Sequence, residues 1–547
     1  MSGVSKHTAM ETFDYIVAGG GSGGCTVAAR LAEAGCSVLL LEAGPRDNHP
    51  YIHIPGTFIR VHGTRRTWMY RTDAQAHVNG REVYIPQGRT LGGGSSVNAM
   101  IYIRGQQQDY DDWAAAGASG WRFADVLPYF RRAEGNQRLG APLHGQDGPL
   151  TVSDGTHRHP LSLAFVQAAM EAGVPYTADF NGARQEGVGY YQTTTEAGRR
   201  CSSAVAYLGR VRGRHNLSVR TGYEVERLVF EGRRAVGVIA RADDGSRHEF
   251  RCREEVVLSA GALATPKILM LSGVGEGAHL RELGVEVLRD LPGVGRNFQD
   301  HLSASVYGRT REPVSLLGHD RGVKALRHGL QYVAARRGLL TSNVIESGAF
   351  VDATGCGRPD VQFHVVPALV GDVDRAPPEG HGISVNPCAL RPKSRGTLRL
   401  RSTDPREGFA LDAGFLSHED DLRTMVAGVR FARRIMRAPS LARLLDGMLV
   451  LPDTADDAIP ESVYEDYVRA VAKTVFHPVG TCKMGTDAQA VVAPDLRVHG
   501  LQGLRIADAS VMPLIVSGNT NAPTIMIGER CADFMLAQRE AGTRRAA

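Results

Sequence analysis

One histidine in the C-terminal region has a side chain that could perform acid–base chemistry. His477 lies in the segment FHPVGTCKMG, residues 476–485, among glycines and small residues. A neutral imidazole, with an ordinary pKa of ~6.5, can take up a proton at physiological pH. The same ring could instead bind a metal or pack in a core. Cys482 and His499 are nearby, but their spacing repeats no metal-ligand pattern, so we predict no metal site. Whether His477 is a base or a core residue depends on what the rest of the chain binds.

A dinucleotide-binding pattern occupies residues 13–44. An apolar strand, a glycine-rich loop in the spacing G-x-G-x-x-G, a helix and a second apolar strand follow in order. The glycines allow close approach of a pyrophosphate, the helix N-terminus attracts it, and the acid that ends the second strand accepts hydrogen bonds from ribose hydroxyls. The predicted contact residues are Gly19, Gly21, Ser22, Gly24, Glu42 and Ala43. The pattern does not distinguish FAD from NAD.

Two distant segments have a similar strand–turn–helix character. Residues 254–275 run from an apolar strand through a glycine turn into a helix, and residues 504–513 form a short strand that ends in Asp508. We expect both segments to join the sheet that begins at the N-terminus. An acid at a strand end is common where a protein meets the ribityl–pyrophosphate part of FAD. Asp508 could also cap the following helix, and one carboxylate can do both.

Three further segments identify a family resemblance. They are GRTLGGGSSVNAMIYIRGQQQDYDDW (88–113), FHPVGTCKMG (476–485) and SGNTNAPTIMIGE (517–529). With the N-terminal pattern, they occur in the order found in the glucose–methanol–choline oxidoreductases, and the chain resembles that family over nearly its full length. Its bacterial alcohol and choline dehydrogenase branch is the most similar. The resemblance implies FAD as the cofactor and oxidation of an alcohol carbon as the reaction.

The resemblance also implies the catalytic residues. The catalytic histidine of the family corresponds to His477, which would take the hydroxyl proton while the carbon-bound hydrogen leaves as hydride to flavin N5. The second catalytic position, histidine or asparagine in different members, is matched to Asn521. An asparagine can donate a hydrogen bond to the substrate oxygen but cannot take its proton. Asn519 is left open between a flavin contact and a turn former.

The remaining cofactor contacts are expected in the segments already quoted. The family binds the flavin with a loop that corresponds to LGGGSSVNAM, and some members link FAD covalently through a histidine in that loop. Val97 occupies the matching position here, so we expect non-covalent FAD. The expected cofactor residues outside the N-terminal pattern are Gly92, Gly93, Asn98, Ala99, Met100, Val225, Ala260, Gly261, Asp508, Ala509, Asn519 and Pro523.

The sequence predicts an α/β protein with two domains. A discontinuous, Rossmann-like FAD-binding domain is expected in residues 1–155, 216–300 and 474–547. By the resemblance, residues 156–215 and 301–473 form a substrate-binding domain, a β-sheet capped by helices over the flavin.

Charge and composition limit the partners. The net charge of +5 is small for a chain of 547 residues, and the basic residues are spread along the sequence. No nucleic-acid partner is therefore expected. No apolar run approaches ~18 residues, which argues against a membrane span. The N-terminus lacks the apolar segment of a signal peptide, and the eight cysteines include no CxxC pair. We therefore expect a cytoplasmic protein with reduced thiols, and leave a peripheral membrane contact open.

That contact is suggested by one basic stretch, RGVKALRHGLQYVAARRG, residues 321–338. Leu326, Leu330 and Val333 recur in it at helical spacing. The favoured interpretation is that these apolar residues pack on the protein while the basic side faces water.

The leading functional prediction is an FAD-dependent dehydrogenase that oxidises a primary alcohol to the aldehyde. Its electrons would pass to a quinone, another carrier that is not a nicotinamide, or O₂. The alternatives are an alcohol oxidase, including one that acts on choline-type substrates, and a non-redox lyase or light-driven decarboxylase on the same fold. The identity of the alcohol is not predicted.

Overall fold

Two β-sheets with helices packed around them form the frame of the protein. The structure, a computed structural model, describes residues 11–372 and 375–546. One sheet is largely parallel and the other antiparallel. This mixed architecture confirms the predicted α/β class.

The first sheet contains seven strands from three distant parts of the chain. In spatial order they are Leu217–Thr221, Val38–Glu42, Thr12–Ala18, Arg247–Leu258, Arg234–Ala242 and Tyr223–Glu231, with Leu504–Ile506 also paired to Arg247–Leu258. The pairs among the first four strands are parallel, as is the pair made by Leu504–Ile506. The last two strands extend the sheet as an antiparallel ribbon. Residues 254–258 and 504–506 thus join the N-terminal sheet as predicted.

The centre of this sheet is buried on both faces. Every residue of Val38–Glu42 is buried, and Ile16 and Val17 are fully inaccessible. Continuous apolar strands of this kind are typical of parallel sheets covered by helices. One covering helix, Ser22–Glu33, ends just before Gly35, whose φ of 81° is typical of the glycine that follows a helix C-terminus. The last helix, Asn521–Ala546, packs against it.

The second sheet has eight antiparallel strands. Six of them lie in the order Leu445–Leu449, Val306–Thr310, Gly382–Ala389, Val361–Val366, Ser347–Val351 and Gly187–Tyr190, and Leu302–Ser303 and Lys473–Thr474 join at the side. Helices Pro160–Glu171 and Glu419–Met436 pack on it. The sheet draws its strands from both segments predicted for the substrate domain, whereas the proposed domain boundaries stay a prediction.

Short elements connect and cover the two sheets. The smaller strands are Thr67–Arg71, Tyr84–Gly88, Glu134–Asn136, Leu150–Asp154, Gln192–Thr193, Thr195–Glu196, Arg199–Arg200, Val274–Gly275, Arg289–Asp290, Thr397–Leu400 and Phe409–Asp412. The other α-helices are Pro50–His53, Gly94–Val97, Gln107–Ala115, Phe123–Ala133, Ala264–Leu271, Gly277–Glu282, Gly322–Ala335, Pro439–Ala442 and Glu461–Val471. Turns of 3₁₀ helix span Pro55–Val61, Ala76–Val78, Leu339–Thr341, Asp456–Ala458 and Ala509–Val511, and a π-helical turn spans Ala204–Leu208.

Within the described ranges, no helix combines the length and the apolar composition needed to cross a bilayer. The cytoplasmic location stays a prediction.

Candidate functional site

A large cavity lies between the two sheets. Its volume is about 870 Å³, and its walls include Glu42 from the first sheet, His364 from the second, and His477. Small-molecule and cofactor sites commonly enclose ~300–1,000 Å³, so this cavity is of the size that holds a large ligand. All of the predicted cofactor residues line it except Gly24, Gly92 and Pro523.

Those three residues do not line the cavity, and each has a local structural role instead. A Cβ on Gly24 would stand 1.9 Å from the carbonyl oxygen of Gly19, so this glycine lets the helix approach the loop. A Cβ on Gly92 would meet the Ser96 hydroxyl at 2.1 Å. Pro523 lies in the first turn of the helix Asn521–Ala546, where a missing N–H costs no hydrogen bond. They shape the cavity without lining it.

The glycine-rich loop packs against the backbone that follows the strand Arg247–Leu258. Gly19 has φ of 108°, and a Cβ there would lie 2.4 Å from the carbonyl oxygen of Ser259. The helix Ser22–Glu33 begins at this loop without a capping side chain. Its first backbone N–H groups therefore stay available to an anionic ligand, which the helix dipole also favours.

Glu42 stands at the end of its strand and fixes the same loop. Its carboxylate accepts hydrogen bonds from the backbone N–H groups of Gly20 at 2.9 Å and Gly44 at 2.7 Å. Burial raises the pKa of Glu42 to about 7, although both N–H groups oppose the rise. A carboxylate held this way can also accept bonds from the hydroxyls of a ribose.

Asp508 ties the late strand to the turn after Arg247–Leu258. Its carboxylate accepts bonds from the Gly261 N–H at 2.9 Å, the Thr265 hydroxyl at 2.6 Å and the Ser510 N–H at 2.8 Å. The last contact caps the turn Ala509–Val511. Asp508 is therefore a cap and also lines the cavity, and its contact with FAD stays a prediction.

The loop that contains Val97 is held by a buried arginine that sequence reasoning missed. Arg200 donates to the carbonyl oxygens of Ser95 and Asn98 at 2.9 and 2.7 Å, and to the side-chain oxygen of Asn98 at 2.7 Å. Asn98 also accepts from the Met100 N–H at 2.9 Å. Burial lowers the pKa of Arg200 to about 9. This guanidinium fixes the conformation of the loop wall through backbone contacts.

His477 is oriented by a second histidine, also missed from the sequence. His301 Nε2 lies 2.9 Å from the carbonyl oxygen of Leu390, so Nε2 carries the proton and donates it. His301 Nδ1 is then an acceptor, and His477 Nδ1 lies 3.0 Å from it. The proton of this contact must belong to His477 Nδ1, which leaves His477 Nε2 unprotonated. The chain of contacts thus selects the tautomer of His477.

The surroundings of His477 favour its neutral form. Removal of the ring from water lowers the pKa of His477 well below 6.5, and the neighbouring imidazoles of His301 and His364 act in the same direction. Burial lowers the pKa of His301 to about 4. The backbone of His477 is held by Asp300, which accepts its N–H at 2.8 Å. At neutral pH, His477 Nε2 is therefore a fixed, unprotonated acceptor.

The amide beside His477 is that of Asn519. Its Nδ2 lies 3.3 Å from His477 Nε2, and its Oδ1 accepts from Gln362 Nε2 at 3.2 Å. The Asn521 side chain instead accepts from the Ser22 hydroxyl at 2.7 Å. Asn519 precedes the last helix and reaches the imidazole, whereas Asn521 opens that helix and faces Ser22. Asn521 also lines the cavity, so its catalytic role stays a prediction.

The residues present fit FAD. Free N–H groups at a helix start suit its pyrophosphate, Glu42 suits its ribose, and the loop 93–100 supplies small residues and backbone for a flat ring. His477 and Asn519 lie in the wall of the same cavity. A two-electron acceptor bound there would share one space with an unprotonated imidazole.

Comparisons with known proteins give the family and the relatives that the chain resembles. Two family models, both described as GMC oxidoreductase, match residues 13–303 and 392–528. The chain is 43% identical to the alcohol dehydrogenase (acceptor) of Pseudomonas putida, over 96% of each chain. It is 40% identical to the mitochondrial choline dehydrogenase of Homo sapiens, over 96% of this chain and 90% of that one.

Two solved structures have the same fold as this chain. Pyridoxine 4-oxidase from Mesorbium loti superposes with a TM-score of 0.86 at 31% identity, over 95% of this chain and 98% of that one. Formate oxidase from Aspergillus oryzae superposes with a TM-score of 0.90 at 26% identity, over 97% of this chain and 99% of that one.

Proposed function

The chain belongs to the GMC oxidoreductase family, and from that premise we propose that it oxidises an alcohol carbon with FAD as the first electron acceptor. Relatives named as alcohol and choline dehydrogenases support an alcohol as substrate. A similar structure that concerns FAD modification in formate oxidase supports the cofactor. The observation that carries the proposal is the position of His477 in the wall of the cavity, with its Nδ1 3.0 Å from His301, a contact from which we infer an unprotonated Nε2.

His477 takes the hydroxyl proton of the alcohol on Nε2. Its other nitrogen, Nδ1, keeps its own proton because it donates to His301 at 3.0 Å. The Asn519 amide, 3.3 Å from Nε2, is placed to donate to the alcohol oxygen. When bound, FAD supplies the acceptor for the hydride that leaves the alcohol carbon. Loss of one proton and one hydride turns a primary alcohol into the aldehyde.

The cavity suits an uncharged alcohol. Five carboxylates line it, and each already has a partner. Glu224 and Glu226 both bind Arg241 at 2.8 Å, while Glu42 and Asp508 accept backbone N–H groups. A cationic substrate such as choline would have to compete for one of these carboxylates, so we propose an uncharged primary alcohol.

The final electron acceptor is proposed to be a carrier other than a nicotinamide or O₂. The Pseudomonas putida relative is named for an unspecified acceptor, whereas relatives at 38% identity are named oxygen-dependent. A panel of uncharged primary alcohols, with choline for comparison, tests both the proposed substrate class and the proposed acceptor. Alcohol added without oxygen should bleach the yellow flavin, and an artificial acceptor should restore the colour faster than O₂. A flavin that stays yellow with every alcohol would support a lyase or a decarboxylase instead.

We expect FAD to leave on denaturation. Val97 occupies the loop position where some relatives form a flavin link, and its side chain has no nucleophile. Precipitation of the holoenzyme with acid should release the yellow colour into the supernatant. Colour retained in the washed pellet would show a covalent link through another residue.

Asn519 and Asn521 should differ in their effect on the reaction. Asn519→Ala removes the amide beside His477 and should slow flavin reduction by ~10–10²-fold, the size expected for one polar contact in a transition state. Asn521→Ala removes a contact with Ser22 and should slow it less. The measurement is the anaerobic reduction rate of both variants at saturating alcohol. A larger loss for Asn521→Ala would return the catalytic position to that residue.

A further inference from the structure

The helix Gly322–Ala335 exposes its apolar side. The exposed fractions are 82% for Val323, 64% for Leu326, 62% for Leu330 and 78% for Val333. At 3.6 residues per turn, these four positions form one stripe along the helix. The expectation that this stripe packs on the protein was wrong.

The opposite side of the helix makes the contacts with the protein. Tyr332 is 3% exposed, and its hydroxyl donates to the carbonyl oxygen of Gly198 at 3.1 Å. His328 Nε2 lies 3.0 Å from His319 Nδ1 in a stacked pair. The helix is therefore fixed by polar and aromatic residues, and its apolar stripe is left in water. Contiguous exposed apolar side chains mark interaction surfaces.

The stripe has a basic border. Arg321, Lys324, Arg327, Arg336 and Arg337 are all exposed, and no acidic residue occurs from Arg321 to Arg337. The border thus adds positive charge beside the apolar residues and at both ends of the helix. A complementary partner must be negative at its surface and apolar just beneath.

The same surface extends to the wall of the cavity. Arg60 Nη2 lies 3.6 Å from Asp320 Oδ2, immediately before the helix. Its neighbour Ile59 is 60% exposed and also lines the cavity. We use the name docking face for the stripe, its basic border and Ile59. One edge of the docking face is therefore an edge of the cavity.

We propose that the docking face binds the surface of an anionic lipid bilayer. An amphipathic basic helix can bury its apolar stripe at the boundary of headgroups and acyl chains, while its cations meet lipid phosphates. A second copy of this chain is a poorer occupant, because it would bring the same cations against these. The helix lies in the plane of the bilayer surface and does not cross it.

Co-sedimentation of the holoenzyme with lipid vesicles tests the proposal. One set contains equal parts of phosphatidylglycerol and phosphatidylcholine, and the other contains phosphatidylcholine alone. We expect binding to the anionic vesicles that weakens with added salt, and little binding to the neutral ones. Absence of binding to the anionic vesicles overturns the proposal.

Paired substitutions separate the apolar and basic contributions. Leu326→Gln/Leu330→Gln keeps good helix formers and should lower the partition coefficient at least about 10-fold. Lys324→Gln/Arg327→Gln should lower it on the order of 30-fold, at about 5-fold per cation near an anionic surface. Leu163→Gln/Met170→Gln is the matched control, since both residues are 48% exposed on another helix. It should bind as the wild type does.

Bound flavin and sedimentation velocity complete the test. All three variants should keep the flavin content of the wild type, because none of the substituted residues lines the cavity. Equal vesicle binding by the wild type and both docking-face variants overturns the proposal. A wild-type dimer that Leu326→Gln/Leu330→Gln dissociates would assign the face to a second copy instead, and would also overturn it.

Discussion

Replacing His477 with alanine is expected to slow anaerobic flavin reduction by alcohol at least about 10²-fold, within the ~10²–10⁴-fold range of general-base catalysis. The substitution removes the unprotonated Nε2 that is placed to take the hydroxyl proton. Rapid mixing of anaerobic solutions of enzyme and alcohol measures the rate of flavin reduction directly. Bound FAD should be retained, since the loops that would hold its pyrophosphate and ribose do not depend on the imidazole.

His499→Ala is the matched control for this experiment. His499 lies in the same C-terminal region, bonds through Nε2 to the carbonyl oxygen of Gly485 at 3.1 Å, and does not line the cavity. Its removal should leave the reduction rate near that of the wild type. Near-normal reduction by His477→Ala would remove His477 from the role of base, whatever the control shows.

Gly24→Ala is expected to weaken FAD binding on the order of 10–10²-fold. Overpacking typically destabilises a structure by ~1–3 kcal/mol, and here it would distort the loop that is placed to receive the pyrophosphate. The added methyl would stand 1.9 Å from the Gly19 carbonyl oxygen. The helix must then move away from the loop that is placed to receive the pyrophosphate. The ratio of flavin absorbance to protein absorbance, after dilution and gel filtration, measures the loss.

Gly408→Ala provides the comparison for that variant. A Cβ on Gly408 meets nothing within 4 Å, so alanine there should leave flavin content unchanged. Far-ultraviolet circular dichroism of both variants shows whether the fold persists. A folded Gly24→Ala protein that binds FAD as tightly as the wild type would show that close approach of helix and loop is not required.

The strand–loop–helix–strand unit of residues 13–44 could be predicted because the residues that form it are contiguous in the sequence. Gly19, Gly24 and Glu42 occur within one strand–loop–helix–strand unit, and each does a job set by local geometry. The acid at Asp508 was recognisable for the same reason, at the end of a short apolar strand. Arg200 was not, because an arginine held by carbonyl oxygens has no sequence signature.

The partners of His477 depend on the tertiary fold. His301 is 176 residues from His477 in the chain, and the two rings meet only because separate segments come together. Asn519 and Asn521 are two residues apart, so the motif alone cannot decide which amide reaches the imidazole. The start of the last helix at Asn521 decides it, by turning that side chain toward Ser22.

The helix Gly322–Ala335 illustrates a different limit. Its periodicity predicted an amphipathic helix, and the helix is present. Periodicity does not say which side faces the protein. That choice was made by Tyr332 and His328, which find partners on neighbouring loops.

An early and a late segment of the chain meet at one site, and their separation sets a minimum delay before that site can form. Ser22 and Asn521, which share a hydrogen bond, are 499 residues apart. At ~5–20 residues per second, a ribosome needs about 25–100 s to travel between them. During that interval the helix Ser22–Glu33 has not yet met the last helix, which covers it, and the strand Leu504–Ile506 has not reached its sheet. FAD can therefore be captured in its finished site only after the strand Leu504–Ile506 and the last helix have been synthesised, and the nascent chain must keep this apolar surface from aggregating until then.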